Sequence, residues 1–417
     1  MAKPVIPPPG DPLAAVALNT LYVLGGLLGL SLGIINPIIS ILMEHRGVSG
    51  LLNGANASLF FLCVALLAPL VGRQLRQVGL KRTLAVGLAA YSVAIVIFPW
   101  LDEPVLWFAL RGLMGIGMAC AMIGAQTGLS AFAGPERRAL VNGVYGLCFG
   151  VGLGVGPLLA TYLYGLAVYL PFAAAGLFLF QAAGLALLGL PSAAHPEADR
   201  PMPGLLRYTG VPVFAVLAYG FAEATLLTMY PAFLVRIGLA PLEIAHRIAA
   251  FVVGGVVGTL PLCYLGDRIG HRQILLACAV GGVAALIGVT EADSVCDLMN
   301  LGWAQLGLDG SPVSVGGVGF VAAFAVGFTL GPVFALALAL LAELLPKAKL
   351  PAGSALFTAA FSVGSAAGPW LSAWFMNRFG DRYLFTAGAA LFGMLVLAQL
   401  LAWLRTALGA KRTAYAD

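Results

Sequence analysis

Charge is scarce in this chain. Of its 417 residues only 9% are Asp, Glu, Lys or Arg, while 61% are hydrophobic. Soluble domains carry about 25% charged residues. A chain this apolar, with a mean hydropathy of +0.98, could not cover a surface facing water. Histidine is scarcer still. His45, His195, His246 and His271 are the whole set, and each lies in a connection or at the end of an apolar run. Neither HExxH nor a Ser-His-Asp pattern is present, which argues against an intramembrane enzyme built on a metal or a nucleophile. No GxxxxGK[ST] loop is present to cradle ATP. The six cysteines (Cys63, Cys120, Cys148, Cys263, Cys278 and Cys296) stand singly, without a CxxC pair. Packed, reduced thiols are expected rather than disulfides or a metal site. No cofactor is implied.

Long apolar runs are what the chain has in abundance. A helix needs about 20 apolar residues to cross the hydrocarbon. Twelve such runs are present, at 14–42, 50–72, 83–100, 104–132, 139–165, 169–190, 211–235, 246–266, 273–290, 316–345, 352–377 and 382–406. They are too long and too uniform for the ~10-residue alternating strands of a membrane barrel. The expected fold class is an all-α membrane protein with twelve transmembrane helices.

The charge is unevenly placed. Connections counted alternately from the N-terminal tail hold 16 basic residues in one set and 5 in the other, with Arg111 inside a run. This asymmetry accounts for the net charge of +5 without a nucleic-acid partner. The positive-inside rule then predicts that both termini are cytoplasmic, as an even number of crossings requires. The proline-rich start, "MAKPVIPPPGDP", is neither a signal peptide nor an amphipathic transit peptide. Residues 1–13 and 407–417 are expected to be cytoplasmic tails of a protein of the cell (inner or plasma) membrane.

The chain also repeats itself. "LVGRQLRQVGLKR" (70–82) and "PLCYLGDRIGHRQ" (261–273) align at Gly79 and Gly270, an offset of 191. "GLGVGP" (152–157) and "GSAAGP" (364–369) align at an offset of 212. The second half therefore holds about 21 extra residues, which the segment 291–315 can supply. Polar, proline-rich 191–210 reads as the linker between two pseudo-symmetric six-helix bundles, 14–190 and 211–406. Parallel repeats of this kind place a solute site between the halves near mid-membrane.

These features resemble the major facilitator superfamily, near its drug/proton antiporter branch. Three motifs carry the resemblance. The loop motif stands as Asp267-Arg268-Ile269-Gly270-His271-Arg272 in the second half. In the first half it keeps Gly72, Gly79, Lys81 and Arg82, with Arg76 where the family has Asp. The fourth run carries Arg111-Gly112-Leu113-Met114-Gly115-Ile116-Gly117, with Met114 in place of Gln. The fifth carries Gly152, Gly156 and Pro157, followed by Ala160 and Thr161 in place of glycines. The resemblance implies a secondary transporter working by alternating access, with Arg111 in proton coupling and Asp267 facing the start of the fifth helix as a cytoplasmic latch. It also implies that Glu343 joins the charge network of that gate.

Two charges lie deep. Arg111 is about seven residues, roughly 10 Å, inside the fourth run. Glu223 is about twelve residues, roughly 18 Å, inside the seventh. Ionisable groups at such depth mark function by default. A desolvated carboxyl can be poised between its protonated and charged forms, which proton coupling needs. Tyr219, Thr228 and Tyr230 lie along the same helix, and Pro231 is expected to break it. Asn36, beside Pro37, is a further cavity candidate, as are Gln126 and Gln181. Glu44 is expected to form an exposed ion pair beside His45 and Arg46. Gly25-Gly29-Gly33 and Gly146-Gly150-Gly154 read as small-residue packing ridges. The segment 291–315 reads as an interfacial amphipathic helix, with Val295, Leu298, Met299 and Leu306 opposite Asp293, Asp297 and Asn300.

The expected function is export of a small amphipathic or lipophilic solute, driven by protons and carried out by a monomer in the bilayer. The alternative is an importer or uniporter of a small metabolite, an anionic one included, with Arg111 as its clamp. A transport-dead sensor or an enzyme is the rival class.

Overall fold

The computed structural model describes residues 11–133, 138–191, 206–305, 314–346 and 349–414. The central part of the expected linker lies outside them. Thirteen α-helices occupy the described residues, and no strand does. In chain order they are α1 (Pro12–His45), α2 (Gly50–Val78), α3 (Leu80–Ile97), α4 (Pro104–Phe132), α5 (Arg138–Leu166), α6 (Leu170–Gly189), α7 (Leu206–Arg236), α8 (Pro241–Ile269), α9 (His271–Thr290), α10 (Ala292–Gln305), α11 (Val315–Leu344), α12 (Leu350–Phe379) and α13 (Thr386–Ala414). Eleven of these are long and apolar enough to cross a membrane. The twelfth long helix is α12, at 30 residues. At 14 residues, α10 is too short to span.

Helix ends follow local chemistry. Asp11 caps α1 by accepting the Leu13 N–H at 2.8 Å, and Pro12 opens the first turn, where a missing N–H costs nothing. Proline also opens α4 and α12 within their first two residues. One glycine separates α2 from α3, and one separates α8 from α9. Gly79 has φ +90° and Gly270 has φ +117°, conformations that a side chain would strain. The glycine of the repeated loop motif thus makes the same one-residue hinge twice. Pro231 does not break α7. The one non-helical residue there is Thr209 (φ −115°, ψ 15°), because neighbouring groups in a packed membrane helix tolerate a proline.

The chain divides into two compact units, and the division falls inside α7 between Glu223 and Ala224. The first unit gathers α1–α6 with Ala224–Ala249 of α7 and α8 and Ser365–Trp374 of α12. Its densest seam joins α1 to α5. A Cβ built on Gly33 would stand 2.5 Å from the Leu153 carbonyl oxygen, and one on Gly156 would stand 2.7 Å from Gly33 Cα. A Cβ on Gly152 would likewise stand 2.6 Å from the Leu30 nitrogen. The α5 ridge is therefore Gly152-Gly156, whereas nothing lies within 4 Å of Gly146. Glycines at every second position offered two ridges about 200° apart, and only the partner helix chose between them. Within the second unit, α8 and α11 meet in the same manner at Gly254, Gly258, Gly327 and Gly331.

The short α10 meets α11 with a face that includes, among the described residues, only Val295 of the expected apolar set. It packs on α11 through Ala292, Cys296 and Val295 against Val318. Leu298 and Met299 are exposed, and Asn300 Nδ2 donates to Cys296 Sγ at 3.4 Å on the packed side. Small residues at i and i+4 allow the close approach, so the larger apolar groups are left outside. Leu306 lies outside the described residues.

Candidate functional site

The first unit buries a polar cluster around Arg111. Gly115 and Gly117, just after it on α4, bring that helix onto α2 and α3. Their built Cβ atoms would stand 2.6 Å from the Phe60 carbonyl oxygen and from the Gly87 oxygen, respectively. Arg111 is 1% exposed, so it does not snorkel to an interface. Its Nη2 donates to Asn36 Oδ1 at 3.0 Å, and its guanidinium lies 4.7 Å over the Phe60 ring. The longer contact from Nη1 to Met114 Sδ is 4.0 Å. No ion pair of Arg111 occurs among the described residues, and its Nε has no acceptor there. Asn36 is equally buried, and its Nδ2 also lacks a partner. One turn on in α1, Ser40 Oγ donates to Asn53 Oδ1 of α2 at 3.3 Å, and Asn53 returns a bond to the Ser40 carbonyl. Asn56, on the Phe60 side of α2, is buried with both amide atoms unpartnered. This polar seam across α1, α2 and α4 was invisible in the sequence beyond Asn36 and Arg111.

The second unit holds Glu223 in a different setting. Tyr219 Oη donates to Glu223 Oε1 at 3.0 Å, one turn apart on α7. Both side chains are half-buried rather than sealed. Phe361 of α12 stacks on Tyr219 with centroids 6.1 Å apart, and Phe334 of α11 meets it edge-on at 6.2 Å. Phe334 is 36% exposed. Among the described residues Glu223 has no ion pair. Phe334 and Phe361, which pack on Tyr219, and Phe357, which packs on Phe334, were not singled out by sequence reasoning. Phenylalanine in an apolar run carries no mark that distinguishes a site from packing.

The remaining candidates divide. Thr228 is fully buried, and its hydroxyl donates to the Ala224 carbonyl of its own helix at 2.6 Å. Tyr230 is 1% exposed and stacks on Phe233. Neither offers a polar group to a solute in this conformation, because the Thr228 hydroxyl is bonded to its own helix backbone and Tyr230 is buried beside Arg247. Gln126 is exposed on α4 and borders a small recess of about 80 Å³ with Tyr145 and Phe149. Gln181 is exposed on α6. A larger recess, about 580 Å³, lies between α1 and α5 and is lined by apolar groups such as Leu30, Val151 and Val155. It contains neither deep charge.

Arg247 was missed. The sequence reading left it in a connection, but α8 starts at Pro241, so Arg247 sits nearly two turns inside. It is 4% exposed, beside Tyr230. A proline at the first helical position was the available clue.

The charged helix ends also differ from expectation. Glu44 pairs with Arg236 of α7, with Nε–Oε1 2.7 Å and Nη2–Oε2 3.2 Å. Arg46 pairs with Asp102 at 3.1 Å. Residues one or two apart on a helix do not face each other, so Glu44 reaches across rather than along. At the loop motif, His271 bridges Asp267 (3.1 Å) and Glu343 of α11 (2.6 Å). Arg268 lies 4.7 Å over Tyr264, and Arg272 donates to the Gln399 carbonyl at 3.4 Å.

Eleven helices apolar enough to span, a twelfth long helix, a repeated glycine hinge and charges at depth describe a polytopic membrane protein. The family model of the Major Facilitator Superfamily matches residues 21–207 and 212–415. An uncharacterized MFS-type transporter of Bacillus subtilis (strain 168), YfkF, is 30% identical over 88% of this chain and 90% of its own length. The tetracycline resistance protein, class G, of Vibrio anguillarum is 30% identical over 43% of this chain and 46% of that protein. A bacterial homolog of the human lysosomal transporter Spinster superposes with a TM-score of 0.72 at 13% identity, covering 95% and 97% of the two chains. The chain belongs to the major facilitator superfamily, and it is an integral membrane transporter of small molecules.

Proposed function

We propose that this transporter exports a small amphipathic or lipophilic solute in exchange for protons, by alternating access. The observation that carries the reading is Glu223. It is a half-buried carboxyl, deep in a membrane helix, with Tyr219 as its one hydrogen-bond partner among the described residues. An acid held by a neutral hydroxyl rather than by a cation can take up and release a proton as its access to water changes. Arg111 contributes by position. Asn36 of α1 holds it, so movement of α1 against α4 changes the solvation of a buried charge. The resemblance to a tetracycline resistance protein supports the outward direction. Both termini are cytoplasmic in this reading, from the placement of Lys and Arg, and 14–190 and 211–406 are the two moving halves. The Glu44–Arg236 pair then closes the external ends of α1 and α7, and the Asp267-His271-Glu343 cluster belongs to the cytoplasmic gate. The protein acts as a monomer.

The test uses proteoliposomes with a trapped pH-sensitive dye. Wild type should show proton flux on addition of a transported lipophilic compound, and Glu223→Gln should abolish it while retaining binding. Full proton-driven accumulation by the mutant would refute the role of Glu223. Solute movement without proton movement in wild type would favour a uniporter.

A further inference from the structure

The sealed cluster of the first unit carries a positive charge and more hydrogen-bond donors than it can use. We propose that Arg111, Asn36, Asn56 and Tyr91 form a binding site for a small monovalent inorganic anion of halide size, held as a resident counter-ion rather than carried as cargo. This site is independent of the proton-coupling role of Glu223.

The protein's own carboxylates do not reach Arg111. The described acids of the first unit are Asp11, Glu44, Asp102, Glu103 and Glu243, and each stands within one turn of a helix end or in a connection. Asp11 caps α1, Glu44 pairs with Arg236, and Asp102 pairs with Arg46. Glu103 precedes α4, eight residues or roughly 12 Å along the axis from Arg111. A guanidinium that is 1% exposed is costly without an opposite charge.

The donors converge on one ring. Arg111 Nε, Asn36 Nδ2, Asn56 Nδ2 and the Tyr91 hydroxyl are buried and have no partner among the described residues. None of the four residues is more than 1% exposed. Arg111 lies 4.7 Å over the Phe60 ring, Tyr91 packs on that ring with centroids 6.1 Å apart, and Asn56 stands one turn before Phe60 on α2. Tyr91 lies within electrostatic reach of the guanidinium. A Cβ on Gly117 would stand 2.6 Å from Tyr91 Cβ, so α4 approaches Tyr91 closely. Asn56 Oδ1 is also unpartnered, but it shares its amide with one of the donors. Buried polar groups are nearly always hydrogen-bonded. Water would satisfy the donors and leave the charge uncompensated, whereas an anion does both. The single charge of the guanidinium sets the valence. The sealing sets the size: neither described recess of this unit borders these residues, so the body of an organic carboxylate would have to displace packed side chains.

The experiment uses the full-length protein purified in gluconate, with chloride as the probe and bromide as its competitor at constant ionic strength. The unfolding temperature should rise with chloride and level off, because a site saturates, and bromide should displace radiolabelled chloride. Arg111→Met should lose this binding. Asn36→Asp places a carboxylate at the position that already bonds the guanidinium. It should therefore lose chloride binding too, yet unfold in gluconate near the temperature that wild type reaches in saturating chloride. Asn56→Leu should weaken chloride binding about 10-fold. Identical unfolding of wild type in chloride and gluconate, the result expected if water alone serves the donors, would overturn the proposal. Saturable chloride binding that survives in Asn36→Asp would overturn it as well, and that variant decides the matter if Arg111→Met fails to fold. Proton flux through Glu223 can be present or absent without moving any of these readings.

Discussion

Arg111 and Glu223 are both deep charges, yet their surroundings are opposites. Arg111 is sealed at 1% exposure beneath Phe60, with an amide oxygen for a partner. Glu223 is half-buried beside a phenol and open aromatic faces. Burying a charge is costly unless it is paired and hydrogen-bonded. Arg111 meets that cost with three weak compensations, namely an amide, a ring face and a distant sulfur. Glu223 lowers it by remaining accessible. Depth alone made the two residues look equivalent. Access distinguishes them in the structure: Arg111 is sealed among α1, α2 and α4, whereas Glu223 is only half-buried.

The sharpest way to break this comparison is at Arg111. Arg111→Ala leaves a void under Phe60 and strips the buried Asn36 amide of its partner, so unfolding in detergent should show a loss of about 2–4 kcal/mol. Arg111→Met fills most of that volume without charge, so it should lose less stability than Arg111→Ala, while losing proton-driven accumulation. A stable Arg111→Ala, or a fully active Arg111→Met, would remove the distinction between the two sites.

A smaller effect is expected at the seam that positions Asn36. A Cβ on Gly156 would stand 2.7 Å from Gly33 Cα and 2.8 Å from the Ile34 nitrogen, one turn before Asn36. Gly156→Ala should cost about 1–3 kcal/mol as α1 is pushed away. Gly146→Ala, with nothing within 4 Å, should be neutral or slightly stabilising in the same unfolding measurement. Equal effects at the two positions would mean that the α1–α5 contact does not hold the Arg111 cluster.

The smallest effect belongs to Tyr219. Tyr219→Phe keeps the ring and removes the 3.0 Å bond to Glu223. A net hydrogen bond is worth about 1 kcal/mol, so the rate of proton-driven accumulation should change by roughly 5-fold. No change would reduce Tyr219 to a wall of the aromatic surface.

Much of the fold was legible in the sequence because membrane crossing imposes a length and a composition that few other structures share. The apolar runs, the Gly79 and Gly270 hinges and the two deep charges all stood out as departures from, or conformity to, that rule. The site was less legible. Glycines spaced by two in α5 fit two opposite ridges, and the sequence reading chose Gly146-Gly150-Gly154 over the packed Gly152-Gly156. On α7, Tyr219 and Thr228 looked alike as polar neighbours of Glu223, but only Tyr219 is one turn from it on the same face.

By itself, the sequence determined that this protein is a bundle of membrane helices, where its hinges fall, and that two charges must be handled inside an apolar medium. Those properties follow from local composition and backbone freedom, which no partner can alter. The tertiary structure alone decided that Arg111 is closed off and Glu223 half-buried, that Arg247 is buried, and that Phe334 and Phe361 gather around Tyr219. Each of these depends on which helix comes to lie against which, and contacts between residues as separate in sequence as Asn36 and Arg111, or Tyr219 and Phe361, leave no trace in local pattern.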